Sequence, residues 1–93
     1  MKKVKTTQGK LTCFKLSAKP GNRIFVAGSF NQWNPTEHQL RDSQKRGVFQ
    51  IKLALPPGCH EYKFVVDGQW RVDPACAEWA PNIMGTLNSV VAV

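Results

Sequence analysis

Asp67-Gly68, set between the strand-like runs His60-Glu61-Tyr62-Lys63-Phe64-Val65-Val66 and Gln69-Trp70-Arg71-Val72, constrains this chain more than any other feature. An Asp-Gly pair in such a setting forms a two-residue hairpin loop, because both positions accept a positive φ. The loop length then fixes the register, with Val66 opposite Gln69, Val65 opposite Trp70 and Lys63 opposite Val72. Cross-strand partners share one side of a sheet. Tyr62, Phe64 and Val66 therefore form the core-facing side, and Trp70 and Lys63 fall together on the outer one. A large flat ring beside a long cationic side chain on an outer face points to a binding surface.

The rest of the chain repeats the strand-and-turn alternation, and no window carries a helical period of useful length. Strands are expected over Leu11 to Ala18, Arg23 to Phe30, Val48 to Leu55 and Thr86 to Val93, besides the two arms of the hairpin. Phe49, Ile51, Leu53 and Leu55 alternate with Gln50 and Lys52, which implies a sheet with one wet face. Lys19-Pro20-Gly21-Asn22, Pro56-Pro57-Gly58 and Asp73-Pro74 punctuate the strands, since proline cannot continue a ladder. A polar loop from Asn31 to about Arg46 and a connection over 74–85 complete the chain. About seven short strands in 93 residues predict an all-β fold, an antiparallel immunoglobulin-like β-sandwich. Residues 1–10 read as a basic N-terminal extension and 11–93 as a single domain.

A chain of this size buries roughly 60–70% of its unfolded surface, enough for a core but not for an enclosed catalytic cavity. The longest apolar runs are far too short to span a bilayer, and no apolar stretch follows the basic start as a signal peptide would need. A cytoplasmic location is expected. Cys13, Cys59 and Cys76 are an odd set at wide spacing and read as free thiols. His38 and His60 lie at no finger-like distance from a cysteine pair, so no metal is expected, and nothing implies a cofactor. The formal net charge of +7 raises nucleic acid as a partner. Six of the thirteen basic residues fall in the first nineteen positions, which favours a solubilising tail on a basic surface over a groove that tracks phosphates.

Catalysis is disfavoured. The six carboxylates are explained by turn formation and solvation, and no serine-nucleophile, zinc-helix or phosphate-loop motif is present. Binding through aromatics is better supported. Phe14, Phe49, Tyr62 and Phe64 fall on inward faces, whereas Trp33 sits among the polar turn formers of Gly28-Ser29-Phe30-Asn31-Gln32-Trp33-Asn34-Pro35. An indole can cover the apolar C–H face of a pyranose while amides and ammonium groups bond the hydroxyls at its rim. Lys63 serves either as such a donor or as a solvated strand lysine. Trp79 is assigned to packing.

At these residues the chain resembles the glycogen-binding domain of the AMP-activated protein kinase β subunit. The resemblance rests on the Gly28–Trp33 segment, Leu53-Ala54-Leu55-Pro56-Pro57-Gly58, the hairpin from His60 to Trp70, Asp73-Pro74 and Gly85-Thr86-Leu87-Asn88-Ser89-Val90-Val91. The wider group includes the carbohydrate-binding modules that precede the catalytic domains of glycogen branching and debranching enzymes. The resemblance covers about Cys13 to Val93. It implies non-catalytic binding of α-1,4-glucans, with Trp33 and Trp70 stacking on glucose rings and Lys63 bonding hydroxyls. It places Met84, Thr86 and Asn88 at a contact in the last loop, with Met84 where the kinase domain has leucine. The connection from Ala75 to Ile83 departs from the kinase pattern, and the downstream segments that join the kinase's partners are not recognised, so the kinase role is not implied. The alternative is a structural or protein-docking domain of a glycan-active enzyme or kinase-like complex, with its tryptophans as interface anchors.

Overall fold

The computed structural model describes residues 10–76 and 78–93. Eight strands run in order: β1 Lys10–Ser17, β2 Ile24–Gly28, β3 His38–Gln39, β4 Val48–Leu55, β5 Cys59–Val66, β6 Gln69–Arg71, β7 Trp79–Pro81 and β8 Leu87–Ala92. One 3-10 turn, Ser29–Asn31, follows β2. β1 and β4 form a two-stranded antiparallel sheet, and the other six form a second sheet in which β2 pairs along one edge of β5 while β6 and β8 share its other edge. The architecture is the expected all-β antiparallel sandwich. The basic extension falls outside the described residues except for Lys10, which opens β1.

The core is made by alternation. Phe14 on β1 and Phe49 and Leu55 on β4 meet Ile24, Val26, Tyr62 and Phe64 from the larger sheet, all buried. The Phe14 and Tyr62 rings pack edge to face at 4.8 Å, the arrangement that aromatic quadrupoles favour. The Asn31–Arg46 loop is not all irregular. His38 and Gln39 pair with β2, Arg41 bridges to Gln50 of β4, and Leu40 between them is buried. This segment stitches one sheet to the other.

The hairpin follows its expected register for two of its three pairs. Asp67 and Gly68 have φ values of 50° and 85°, and Val66–Gln69 and Val65–Trp70 are opposed. The Lys63–Val72 pair does not form, because β6 ends at Arg71 and β8 takes over that edge of β5 from Tyr62 onward. The connection over 74–85 likewise holds a strand, β7, paired with β8. Trp79 lies on this edge strand with 47% of its surface exposed, so its assignment to packing is corrected. A three-residue strand offers too short an alternation to be read from sequence.

Asp73 is also corrected. It is buried rather than solvated, accepting a 2.6 Å hydrogen bond from the Tyr62 hydroxyl and one from the Ala75 N–H, while its own N–H donates to Ser89 Oγ. This cluster ties the chain leaving β6 to the centre of the sheet. Burial, followed by the hydrogen bond to Asp73 and its negative charge, raises the Tyr62 pKa far above its ordinary value. The folded state therefore keeps this proton where the unfolded chain, titrating near 10, releases it. The stabilisation is complete below about pH 10 and is lost above it, by up to about 1.4 kcal/mol per pH unit. Urea unfolding across pH 8–11 should show that decline, and Tyr62→Phe should remove it while costing about 1–3 kcal/mol at pH 7 through the hydrogen bond lost by buried Asp73.

Candidate carbohydrate-binding site

Each functional side chain is placed by a local rule. Trp70 stands on the outer face because a two-residue loop puts it opposite Val65. Lys63, two residues before Val65, shares that side. Trp33 comes from the turn after β2, where Gln32 and Trp33 both adopt left-handed backbone, with φ of 56° and 58°. Buried Asn31 holds that turn: its Oδ1 accepts the N–H groups of Gly28 and Asn34, and its Nδ2 donates to the Asn34 carbonyl. Gly28 is required by close approach, since a Cβ there would lie 2.4 Å from the Glu61 carbonyl and 2.6 Å from the Phe30 ring. Phe30 can thus fold back against the strand and deliver Trp33 to the outer face.

The two indoles meet there with centroids 6.4 Å apart and planes inclined at 50°. They wall a depression of about 780 Å³ that also takes in Lys63, Met84, Thr86 and Asn88. All six residues singled out from the sequence line this one hollow. Ser29, Glu61, Asn82 and Ile83 line it too and were not picked out. The hairpin register alone could have found Glu61, which alternates with Lys63 on β5.

The floor is a hydrogen-bond chain centred on Asn82, in the Asn82–Thr86 loop between β7 and β8. Its Oδ1 accepts the N–H groups of Met84 and Thr86, and its Nδ2 donates to Thr86 Oγ1 and Asn88 Oδ1. Both lone pairs and both protons of this amide are used. Lys63 Nζ donates to Thr86 Oγ1 at 3.0 Å, and Asn88 Nδ2 donates to Glu61 Oε1 at 2.9 Å. What remains facing the hollow is a donor-and-acceptor set: further Lys63 protons, the Thr86 hydroxyl proton and the second Glu61 oxygen. Asn88 is buried, with both ends of its amide engaged, so it spaces the rim rather than forming it. Met84 and Ile83 stand exposed at the loop tip.

Apolar rings over a rim of matched donors and acceptors, on a fold made of strands, are the layout of a carbohydrate-recognition module. The chain belongs to the family described as the glycogen recognition site of AMP-activated protein kinase, which matches residues 12–93. A 5'-AMP-activated protein kinase subunit beta-1 from Sus scrofa is 34% identical over 88 residues, covering 95% of this chain and 67% of the pig sequence. The Homo sapiens subunit is 37% identical over 73 residues, covering 78% of this chain. Protein PTST homolog 2, chloroplastic, from Arabidopsis thaliana is 43% identical over 53 residues, 57% of this chain. The chain spans 25% of the human protein and 10% of the Arabidopsis one.

Among the described residues no group of three His, Cys, Asp or Glu side chains is placed to hold a metal, and no helix is long and apolar enough to cross a membrane. The three cysteines are free thiols. Because Asn82 closes its loop by four hydrogen bonds, Asn82→Ala should speed hydrogen exchange at the Met84 and Thr86 amides. A roughly five- to tenfold change is expected for each lost bond, with little change in global stability because the loop is at the surface.

Proposed function

We propose that this protein binds α-1,4-linked glucans such as glycogen, starch and maltooligosaccharides, and does so without cleaving them. The observation that carries this reading is the inclined tryptophan pair set against the Lys63–Thr86–Glu61 rim. An α-1,4 chain curves, so successive glucose units present their apolar faces at an angle to one another, and two platforms 50° apart suit that shape better than a flat one would. Trp33 and Trp70 stack on successive rings, Lys63 and Thr86 donate to hydroxyls, Met84 presses on the glucan from the loop tip, and Asn88 holds Glu61 and Asn82 in place. The hollow contains one carboxylate, Glu61, and hydrolysis would call for a facing pair; this supports a binding rather than a catalytic role. The family to which the chain belongs supports the same ligand.

We take residues 11–93 as one binding domain that delivers α-glucan to an enzyme partner or an attached catalytic domain, in the cytoplasm. Affinity in the micromolar to millimolar range is expected, about −8 to −4 kcal/mol. Titration with β-cyclodextrin or maltoheptaose should quench tryptophan fluorescence. Trp70→Ala should weaken binding by at least about tenfold, as the loss of one large apolar contact requires, while leaving the unfolding midpoint nearly unchanged because the side chain is half exposed. Unchanged affinity would remove Trp70 from the site.

A further inference from the structure

Trp70 has two sides, and only one of them meets the hollow described above. On the other lies a second hollow of about 320 Å³, at the bottom of the ~300–1,000 Å³ range of small-molecule sites. Phe25 and Val65 form its floor, Pro35 and Trp70 its walls, and Arg23 and Thr36 part of its rim. The register explains the arrangement. Phe25 pairs with Val65 and Val65 with Trp70, so the three make one row across β2, β5 and β6 on the outer face. Lys63 and Ala27 pair in a neighbouring row on the same face. The two hollows therefore lie side by side along one surface, with Trp70 common to both.

The second hollow repeats the chemistry of the first. The Arg23 guanidinium carbon lies 5.9 Å from the centre of the Phe25 ring, which leaves a planar cation beside an apolar floor. Among the described residues its N–H groups make no hydrogen bond or ion pair, and a guanidinium offers five donors. Asp67 supplies an acceptor, since only its Oδ1 is engaged, by the backbone N–H of Arg23 rather than its guanidinium, at 2.9 Å. A carboxylate on the same rim as the arginine disfavours an anionic ligand and favours a neutral one that both donates and accepts.

Resting on the glucan reading above, we infer that this second hollow is an extension subsite for the same α-glucan. It takes the sugar units that follow those held between Trp33 and Trp70. The Arg23 guanidinium donates to their hydroxyls, Asp67 accepts from them, and Phe25 and Val65 underlie an apolar ring face. The consequence is a preference for chains long enough to cross Trp70.

The test uses the whole chain with Arg23→Ala and, in a second variant, Phe25→Leu, which keeps an apolar strand residue in place of the ring. Maltotriose, a longer linear maltooligosaccharide such as maltodecaose, and β-cyclodextrin are titrated against wild type and both variants. Wild type should prefer the long chain to maltotriose. Each variant should lose about three- to tenfold for the long chain, the scale of one hydrogen bond or ring contact, with β-cyclodextrin and maltotriose affinities unchanged. Long-chain affinity that is equal in wild type and both variants overturns the subsite. A parallel fall for all three ligands overturns it as well, because it assigns Arg23 and Phe25 to maintaining the first hollow. Wild type that binds none of the three overturns the glucan reading itself, an outcome distinct from the other two.

Discussion

Strand β5 is the constraint on which everything else depends. It lies at the middle of the larger sheet and pairs with three other strands, β2 on one edge and β6 and β8 in succession on the other. Its strict alternation sends Tyr62 and Phe64 into the core and Glu61 and Lys63 to the ligand side, so the same eight residues supply the centre of the fold and the rim of the site. A side chain on such a strand cannot drift independently of its neighbours, and this rigidity lets a small open domain hold a binding geometry without enclosing it.

The site is organised before any ligand arrives. Asn82 spends every hydrogen-bonding valence on its own loop and on β8, Asn31 does nearly the same for the Trp33 turn, and the Tyr62–Asp73–Ser89 cluster anchors the chain as it leaves Trp70. These buried or half-buried polar groups thus immobilise three separate segments, each presenting one part of the surface. The ordering cost is met during folding, which leaves more of the contact energy for binding. The left-handed backbone at Gln32 and Trp33 belongs to the same economy. Non-glycine residues in that region cost on the order of 1–3 kcal/mol each and persist only where surrounding bonds enforce them.

The sequence was legible where local rules are strong. Asp67-Gly68 dictated the hairpin and alternation over Val48–Leu55 dictated β4, and together they marked Phe49, Tyr62 and Phe64 as core, with Phe14 on the inward face of the first strand. The outward placement of Trp70 and Lys63 followed from register alone, whereas Met84, Thr86 and Asn88 came from the resemblance. Illegible were features created by contacts distant in sequence. β3 and β7 exist because β2 and β8 offer them edges, not because two or three residues have strand character. Asp73 looked like a turn former before proline, and it is one, but its burial depends on Tyr62, eleven residues earlier. Asn82 was not singled out at all, because its four hydrogen bonds exist only once the fold closes its loop against β8.

The dependence of the site on a two-residue turn has a consequence for how such domains change over evolutionary time. Exposed loops are ordinarily where insertions and deletions are tolerated. One residue added between Val66 and Gln69 and absorbed as a register slip would turn β6 over, sending the Trp70 indole inward and Arg71 outward. Two added residues would restore the facing. Length variation at this turn should therefore separate ligand-binding members from non-binding ones more cleanly than substitutions in the core do, and it should come in even steps wherever a stacking tryptophan follows.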